Sequence, residues 1–426
     1  MKLLITQGRV IDPANGFDAV ADLALADGVV LARGAIPAGF TPERTIDARG
    51  CLVLPGLVDL AARLREPGYE HEGMLASELA AAVAGGVTRL VCPPDTDPVL
   101  DEPGLVEMLC DRARKQQRAR LSPLGAITRG LAGEVLTEMV ALTEAGCIGF
   151  GQADVPLTNT QVMQRALQYA ATFGYTLWLH PQDPGLGKGV AASGALAMRL
   201  GVPGVPVAAE TIAIFTLLEL MRSSGARVHL CRLSSAAGVA LVRAAKREGL
   251  PLSCDVSINS LHLCDVDIGY FDTRAHLCPP LRQSRDREAL SAALADGTID
   301  ALVSDHTPVD NDAKMKPFAQ SEPGASGIEL LLPLALQWGQ TSGAGLGRAI
   351  EVVTAAPAQL LDGNAGPRGL APGARADICI ADPARDWLVN AAALRSQSKH
   401  TPFAGQVMQA RARLTLVDGR IVYEAQ

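Results

Sequence analysis

The stretch Gly56-Leu57-Val58-Asp59-Leu60-Ala61-Ala62-Arg63-Leu64-Arg65-Glu66-Pro67-Gly68 follows a short apolar strand at 52–55 and ends in a turn. A strand that leads into a polar turn is typical of the first unit of an alternating β/α domain. At the end of this strand, Ala61 offers no donor atom and Arg63 carries a permanent positive charge that cannot bind a cation. The stretch therefore predicts a β/α barrel strand that supplies no metal ligand at these two positions.

Length and composition narrow the class of protein. The chain has 426 residues, 48% of them hydrophobic and 19% charged, which is typical of an ordered protein with one large and one smaller domain. A net charge of −7 and only 4% aromatic residues argue against a nucleic-acid partner. The first residues turn polar at once, and no apolar run has membrane-spanning length, so we expect neither a signal peptide nor a membrane segment. The nine scattered cysteines, with no Cys-x-x-Cys pair, indicate free thiols in the cytoplasm.

The two ends of the chain share one sequence pattern, which differs from that of the middle. Short alternating runs broken by Gly, Asn and Pro occupy 2–6, 22–26, 29–32 and 45–47, and similar runs return at 376–381, 411–417 and 420–423 around an Asp418-Gly419 turn. We interpret the ends as halves of one small β-sandwich domain. The predicted domains are 1–53 with 366–426 for the sandwich, and 54–365 for a central domain.

The central domain alternates apolar strands with helical stretches. Strands are predicted at 89–92, 121–126, 147–150, 176–180, 227–233, 252–256 and 301–304, and helices at 74–85, 160–173, 207–222, 236–247 and 286–295. About eight such units predict an α/β fold of the (β/α)8 TIM-barrel type, in which functional residues lie at the carboxyl ends of the strands.

An ordered set of motifs resembles the dihydroorotase family, of the amidohydrolase superfamily, over nearly the whole chain. Gly85-Gly86-Val87-Thr88 with Cys92-Pro93-Pro94-Asp95-Thr96 resembles Gly-Gly-Phe-Thr and Met-Pro-Asn-Thr of that family, and Cys278-Pro279-Pro280-Leu281-Arg282 resembles its Asn-Pro-Pro-Leu-Arg. Ser304-Asp305-His306-Thr307-Pro308 is similar to Thr-Asp-His-Ala-Pro, and the terminal Val417-Asp418-Gly419-Arg420 is similar to the family's C-terminal segment. The resemblance implies the TIM barrel, a metal-dependent cyclic-amide hydrolase as ancestor, and a setting in pyrimidine biosynthesis.

The family's metal ligands carry over only in part. Its first-strand His-x-His pair falls on Ala61 and Arg63, its bridging carboxylate falls on Gln152 and Ala153 (or, with a one-residue slip, on Asp154), and a later histidine falls on Arg232. His180 and the catalytic Asp305 survive. Catalytic zinc needs about three protein ligands, and it activates the water that Asp305 would assist. The resemblance therefore predicts a vestigial His180–Asp305 pair, no zinc, and a chain that is not an enzyme.

The positions that bind substrate in the family are also altered in this chain. Arg65 is retained, but Asp95 and Cys278 stand where the family has asparagines, and Asp95 would repel an anionic substrate. A buried Asp305 needs a partner, and we predict that Arg232 or Arg63 provides it.

Three hypotheses for function remain open. The first is a catalytically inactive dihydroorotase-like subunit that supports assembly or activity of aspartate transcarbamoylase, as the resemblance implies for such homologues in some bacteria. We expect this subunit to be a homodimer within a larger hetero-oligomer, with the aspartate transcarbamoylase catalytic chain as its partner. The second is an active cyclic amidohydrolase whose rearranged metal site combines Asp154, His180, His229 and Asp305. The third is a small-molecule sensor that kept a pocket.

Two other patterns are weaker. His262-Leu263-Cys264 and His276-Leu277-Cys278 contain zinc-type donors, but their spacing matches no known finger. The segment Gly185-Leu186-Gly187-Lys188-Gly189 lacks the spacing of a phosphate-binding loop, and we interpret it as a loop near the mouth of the barrel.

Overall fold

The computed structural model describes residues 1–363 and 366–425. The strands are β1 (Leu3–Asp12), β2 (Phe17–Ala26), β3 (Val29–Arg33), β4 (Arg44–Asp47), β5 (Leu52–Pro55), β6 (Leu57–Asp59), β7 (Val87–Cys92), β8 (Arg120–Pro123), β9 (Gly125–Ala126), β10 (Phe150–Gly151), β11 (Thr176–Leu179), β12 (Ala191–Ala192), β13 (Gly204–Val205), β14 (Arg227–Leu230), β15 (Leu252–Ser257), β16 (Ala301–Val303), β17 (Ile378–Leu388), β18 (Val407–Val417) and β19 (Arg420–Glu424).

The α-helices mostly follow these strands and pack outside them. They are α1 (Leu75–Ala84), α2 (Pro103–Lys115), α3 (Met139–Glu144), α4 (Thr160–Phe173), α5 (Ala195–Leu200), α6 (Val207–Ser224), α7 (Ala236–Glu248), α8 (Ile258–His262), α9 (Ser284–Ala295), α10 (Asn311–Met315), α11 (Leu331–Thr341), α12 (Gly345–Glu351) and α13 (Ala355–Asp362). None of the helices in the described part of the chain is both long and apolar enough to cross a membrane.

The two ends of the chain build one eight-stranded sheet. Its order is β19-β18-β17-β5-β1-β2-β3, with β4 pairing in parallel with β1. The strand β5 pairs antiparallel with β17, so the N-terminal and C-terminal segments meet at the centre of the sheet. Buried side chains from both ends, such as Leu3, Ile5, Ile378 and Leu416, form one core. The predicted boundaries, 1–53 with 366–426 and 54–365, remain predictions, and residues 364, 365 and 426 lie outside the described residues.

The central strands form the predicted α/β barrel. Parallel ladders join β6-β7-β8 in one arc and β9-β10-β11-β14-β15-β16 in another, in the order expected of a TIM barrel. The ring of strand ladders is not fully closed. One gap is spanned by the hydrogen bond from Leu124 N to Cys92 O, and the other by a single parallel bridge between Ala62 and His306. This second bridge places the stretch after β6 beside the stretch after β16, which is where the functional residues lie.

A partly buried histidine between barrel helices makes stability depend on pH. His262, at the end of α8, points its Nε2 at the Leu334 carbonyl of α11 at 2.9 Å, and burial lowers its pKa from 6.5 to about 4. Between these values the unfolded chain binds more protons than the folded chain, so stability falls as the pH drops from about 6.5 to about 4. We expect this histidine to contribute a loss of about 3 kcal/mol. In urea unfolding across this window, His262→Gln should reduce the pH dependence, and equal slopes for the two proteins would contradict the assignment.

Candidate functional site

Seven of the side chains singled out in the sequence meet at the carboxyl ends of the barrel strands. Each follows a different strand: Arg63 after β6, Asp95 after β7, Asp154 after β10, His180 after β11, Arg232 after β14, Cys278 after β15 and Asp305 after β16. We call Arg63, Asp95, Asp154, Arg232 and Asp305 the mouth cluster.

Arg63 links its own strand end to three others. Its Nε donates to Asp95 Oδ2 at 2.7 Å, its Nη2 to Asp154 Oδ2 at 2.8 Å, and its Nη1 to Thr307 Oγ1 at 3.1 Å. The side chain of Arg63 is only 9% exposed, whereas its carboxylate partners Asp95 and Asp154 are partly exposed, so these charge-assisted hydrogen bonds join a buried guanidinium to partly exposed carboxylates. Asp95 is therefore neutralised by Arg63 and does not present a bare negative charge to the pocket.

Arg232 provides the predicted partner of Asp305. Its Nη1 lies 3.2 Å from Asp305 Oδ1 and 3.0 Å from the carbonyl oxygen of Cys278, and its Nη2 donates to Asp154 Oδ1. The side chains of Arg232 and Asp305 are 5% and 6% exposed. Both residues have left-handed backbones, with φ of 57° and 52°, a strained conformation that clusters at functional sites.

The two arginines affect the cluster's carboxylates unequally. Burial acts to raise the pKa of Asp154, but Arg232 and Arg63 outweigh it and hold that pKa well below its usual range. At Asp305, burial and the negative charge of nearby Asp154 outweigh the two arginines, so the pKa of Asp305 is raised. Two guanidinium groups thus face three carboxylates, and Asp305 is the carboxylate whose charged form burial disfavours.

A second group of donors lies beside the mouth cluster. Asp154, His180 and Cys278 each offer one ligand atom, and these atoms lie within 4.8 Å of one another. His180 Nε2 is 3.9 Å from Cys278 Sγ, while its Nδ1 is 3.3 Å from the Cys231 carbonyl oxygen. A carboxylate, an imidazole and a thiol are ordinary zinc ligands, so this donor set fits one divalent cation.

Burial favours the uncharged forms of the His180 imidazole and the Cys278 thiol. Burial, together with Arg232, lowers the pKa of His180 to about 4. Burial, together with Asp154, raises the pKa of the Cys278 thiol to about 12. His180 is therefore a neutral potential ligand near neutral pH, and Cys278 has to lose a proton when it binds a cation.

Other predicted positions contribute no atom to this donor group. Gln152 turns away from the mouth, donating from Nε2 to Thr128 Oγ1 at 2.8 Å and to the Leu131 carbonyl at 2.9 Å. The one-residue slip considered from the sequence is the arrangement found, because Asp154 brings the carboxylate of this strand end to the mouth. Ala61 packs against the apolar interior of the barrel, and Ala153 lines a pocket that Gln152 and His180 also line.

The retained Arg65 contacts protein groups rather than an open pocket. Its Nε donates to the Pro308 carbonyl at 2.8 Å and also lies 2.8 Å from Glu72 Oε2. The Nε of Arg65 is therefore already engaged by protein groups.

The remaining histidines do not join the donors at the mouth. His229 lies inside the barrel, with Nε2 2.9 Å from Asp255 Oδ2 and Nδ1 2.8 Å from Ser253 Oγ, so the four-residue rearranged site does not form. His262 contacts Leu334 and His276 contacts Ser321, and among the described residues neither belongs to a group that could hold a metal.

The glycine-rich loop also has an internal role. The amides of Gly185 and Leu186 both donate to Asp183 Oδ1 at 2.9 Å, so they are already satisfied by a carboxylate.

Sequence reasoning missed Glu210, which supports the loop that follows Arg232. This glutamate of α6 is 3% exposed and accepts hydrogen bonds from Ser234 N at 2.8 Å and Ser235 N at 3.1 Å, and from both serine hydroxyls. Gly238 leaves room for it, since a Cβ there would lie 2.1 Å from Glu210 Oε1. The available signal was a glutamate in the first turn of α6, within the mostly apolar first half of that helix.

Comparison with known proteins identifies relatives along the full length. A family model described as "Dihydro-orotase-like" matches residues 50–237. A dihydroorotase-like protein of Pseudomonas aeruginosa is 44% identical, and a dihydroorotase of Geobacter sp. strain M21 is 40% identical, each with 100% of both chains covered. Among solved structures, the L-hydantoinase (dihydropyrimidinase) from Arthrobacter aurescens superposes with a TM-score of 0.88 and 26% identity, covering 99% of this chain and 96% of that one.

These relatives correct two predictions, that the chain is not an enzyme and that it holds no zinc or other metal. Relatives at this level of identity are named dihydroorotase, the solved neighbour is a hydantoinase, and the structure contains a group that could hold a metal ion. The predictions were wrong because they counted only the positions of the family's ligands. Asp154 and Cys278 bring donors to the mouth from two other strand ends and join His180.

The fold and the family are confirmed by the same comparisons. The L-hydantoinase superposes along nearly its whole length, and the relatives carry dihydroorotase names across the full chain. The chain belongs to the dihydroorotase-like family of the amidohydrolase superfamily.

Proposed function

We propose that this chain is a cytoplasmic component of pyrimidine biosynthesis that associates with the catalytic chain of aspartate transcarbamoylase and supports its assembly or activity. In this role it forms a homodimer within a larger hetero-oligomer. A fold can serve as a structural partner because barrel stability resides in packing, whereas chemistry resides in individual side chains.

This proposal rests on a contrast between the barrel scaffold, which matches a solved relative, and the side chains at the barrel mouth, which differ from the family pattern. The scaffold superposes on a solved hydantoinase over 99% of the chain. The mouth differs, because Arg63 and Arg232 replace histidines of the family pattern and engage Asp95, Asp154 and Asp305. A retained scaffold with an altered mouth favours a role in which the outer surface matters.

The test is deletion of the chain in the organism that encodes it, with transcarbamoylase activity measured in extracts. We expect formation of carbamoyl aspartate to fall at least tenfold and to return when the full chain is supplied on a plasmid. Dihydroorotase catalyses a different step, so loss of dihydroorotase activity alone would leave the transcarbamoylase activity intact. Unchanged transcarbamoylase activity in the deletion strain would contradict the proposal.

A second candidate is hydrolysis of a cyclic amide, favoured by the Asp154, His180 and Cys278 group together with the names of the relatives. We infer that such an activity would use a cation held by these three residues. In an assay of dihydroorotate hydrolysis with zinc-loaded protein, it predicts turnover that Cys278→Ser abolishes and Cys110→Ser, at a partly buried thiol on α2, leaves intact. Zinc-loaded protein without turnover on dihydroorotate would count against this candidate.

A further inference from the structure

We propose that Ser253, His229 and Asp255 form an acyl-transfer site, in which Ser253 is the nucleophile that hydrolyses a carboxylic ester. His229 lies on β14 and the other two residues lie on β15. Ser253 is the second residue of its strand, so it lies near the amino end of the barrel, opposite the mouth cluster. This activity is independent of the proposed association with aspartate transcarbamoylase and of any cation at the mouth.

Hydrogen bonds connect the three side chains in the order that nucleophilic catalysis needs. Ser253 Oγ lies 2.8 Å from His229 Nδ1, and His229 Nε2 lies 2.9 Å from Asp255 Oδ2. Ser253 and His229 are direct partners on neighbouring strands, and Asp255 follows Ser253 by two residues on the same face of β15. A hydroxyl bonded to a base that a carboxylate orients is the arrangement that activates a serine.

Asp255 determines which ring nitrogen of His229 carries the hydrogen. The side chains of His229 and Asp255 are 1% and 0% exposed, and the second oxygen of Asp255 accepts the backbone amide of Arg232 at 2.6 Å. With the carboxylate at Nε2, that nitrogen holds the hydrogen, and Nδ1 is left to accept the proton of Ser253. The ring of Trp178 packs on the imidazole, with ring centroids 4.2 Å apart, and helps to fix its orientation.

A cavity gives a substrate access to Ser253. This amino-end cavity has a volume of about 760 Å³ and is lined by residues of β11, β14, β15 and α13. Ser253 is partly exposed and lines the cavity together with His229. The volume lies within the range of roughly 300–1,000 Å³ that holds small-molecule ligands.

Arg227 supplies a positive charge in the same cavity. It stands two residues before His229 on β14, so the two side chains share one face of the strand. Arg227 is exposed, and within the described part of the chain no side chain or carbonyl engages its guanidinium. It can therefore stabilise the negative charge that develops on the carbonyl oxygen of an ester under attack. The other permanently charged residues that line the cavity are paired: Asp300 with Lys246, Arg348 with Glu351, and Asp362 with Arg89.

The reaction has two balanced steps. Ser253 Oγ bonds to the carbonyl carbon of the ester while its proton passes to His229 Nδ1, and the bond from that carbon to the alcohol oxygen breaks as the alcohol leaves with the proton. Water then attacks the acyl group on Ser253 and gives a proton to the same nitrogen. The bond between the acyl group and Oγ breaks, and Ser253 recovers the proton. One ester and one water become one carboxylic acid and one alcohol.

The experiment is hydrolysis of p-nitrophenyl acetate by the purified full chain. We expect turnover that saturates with substrate, and a kcat/KM that falls by about a hundredfold or more in Ser253→Ala and in His229→Gln. Arg227→Gln should lower kcat/KM by about tenfold or more, whereas Ser223→Ala, at an exposed serine of α6, should leave it unchanged. Hydrolysis by the unmodified chain no faster than that by Ser253→Ala would overturn the proposal.

Asp255→Asn tests the positioning role of this carboxylate. The amide oxygen can keep the bond to the Arg232 amide while the amide nitrogen faces His229 Nε2, which moves the ring hydrogen to Nδ1. We expect kcat to fall by about a hundredfold or more while KM stays within about twofold, because no contact with the ester is lost. An unchanged kcat, or a loss confined to KM, would contradict the role assigned to Asp255.

A labelling measurement covers the case in which the variants fail to fold. The unmodified chain is treated with a fluorophosphonate, whose fluoride a nucleophilic serine displaces, and the modified residue is located by peptide mapping. We expect one phosphonyl group per chain on Ser253, with loss of ester hydrolysis in proportion to the modification. Modification of a different serine, or of none, would refute the site whether or not transcarbamoylase activity depends on this chain.

Discussion

Replacement of Arg232 with methionine is expected to lower the free energy of unfolding by about 3–5 kcal/mol. The substitution keeps most of the side-chain volume but removes the guanidinium that contacts Asp305, Asp154 and the Cys278 carbonyl. Asp305 is 6% exposed and would be left without its cation, which is the costly way to break a buried ion pair. Urea unfolding at neutral pH measures the effect.

An exposed arginine provides the matched control. Arg222, on α6, pairs with Glu219 and Glu248 and is 37% exposed, so Arg222→Met should cost less than about 1 kcal/mol. The double variant Arg232→Met with Asp305→Asn should recover part of the loss, because it removes the unpaired charge. A cost for Arg232→Met no larger than that of the control would show that the mouth cluster does not stabilise the barrel.

Glu210→Ala is expected to destabilise the chain by about 3–5 kcal/mol, since one substitution leaves several buried donors without an acceptor. The Ser234 and Ser235 amides and hydroxyls all donate to this carboxylate, and Ser234 Oγ also accepts from Arg282 Nε at 2.8 Å. The serines directly follow Arg232 and Leu233, so their loop also positions the guanidinium. Chemical denaturation gives the size of the effect.

The same helix offers the control for Glu210. Glu219 of α6 is 59% exposed and pairs only with Arg222 among the described ion pairs, so Glu219→Ala should cost less than about 1 kcal/mol. Equal effects of the two glutamate variants would contradict the role assigned to Glu210.

Much of the fold could be predicted from the sequence because its signals are local. Alternation and the Asp418-Gly419 turn predicted strands at the ends, and apolar runs interrupted by helical stretches predicted the barrel. The partners of each strand were harder to infer. The pairing of β5 with β17 joins segments more than 320 residues apart, and local patterning contains no information on such a contact.

The candidate site was predictable at single positions but less so as a network. The pairing of Arg232 with Asp305 followed from the cost of burying a lone carboxylate. The sequence did not decide whether Ala153 or Asp154 stands at the family's carboxylate position, because the two-residue strand β10 is too short to fix that alignment. The approach of Cys278 to His180 was not predictable, because the two residues are far apart in the chain and meet only through barrel closure. That missing contact contributed to the wrong prediction that the chain holds no zinc.

The proposed partnership is tested most directly by sedimentation velocity of the purified full chain mixed with the aspartate transcarbamoylase catalytic chain from the same organism. We expect one fast boundary that contains both chains at micromolar concentration and carries the transcarbamoylase activity. Two boundaries at the positions of the separate proteins, with transcarbamoylase activity independent of this chain, would contradict the proposal.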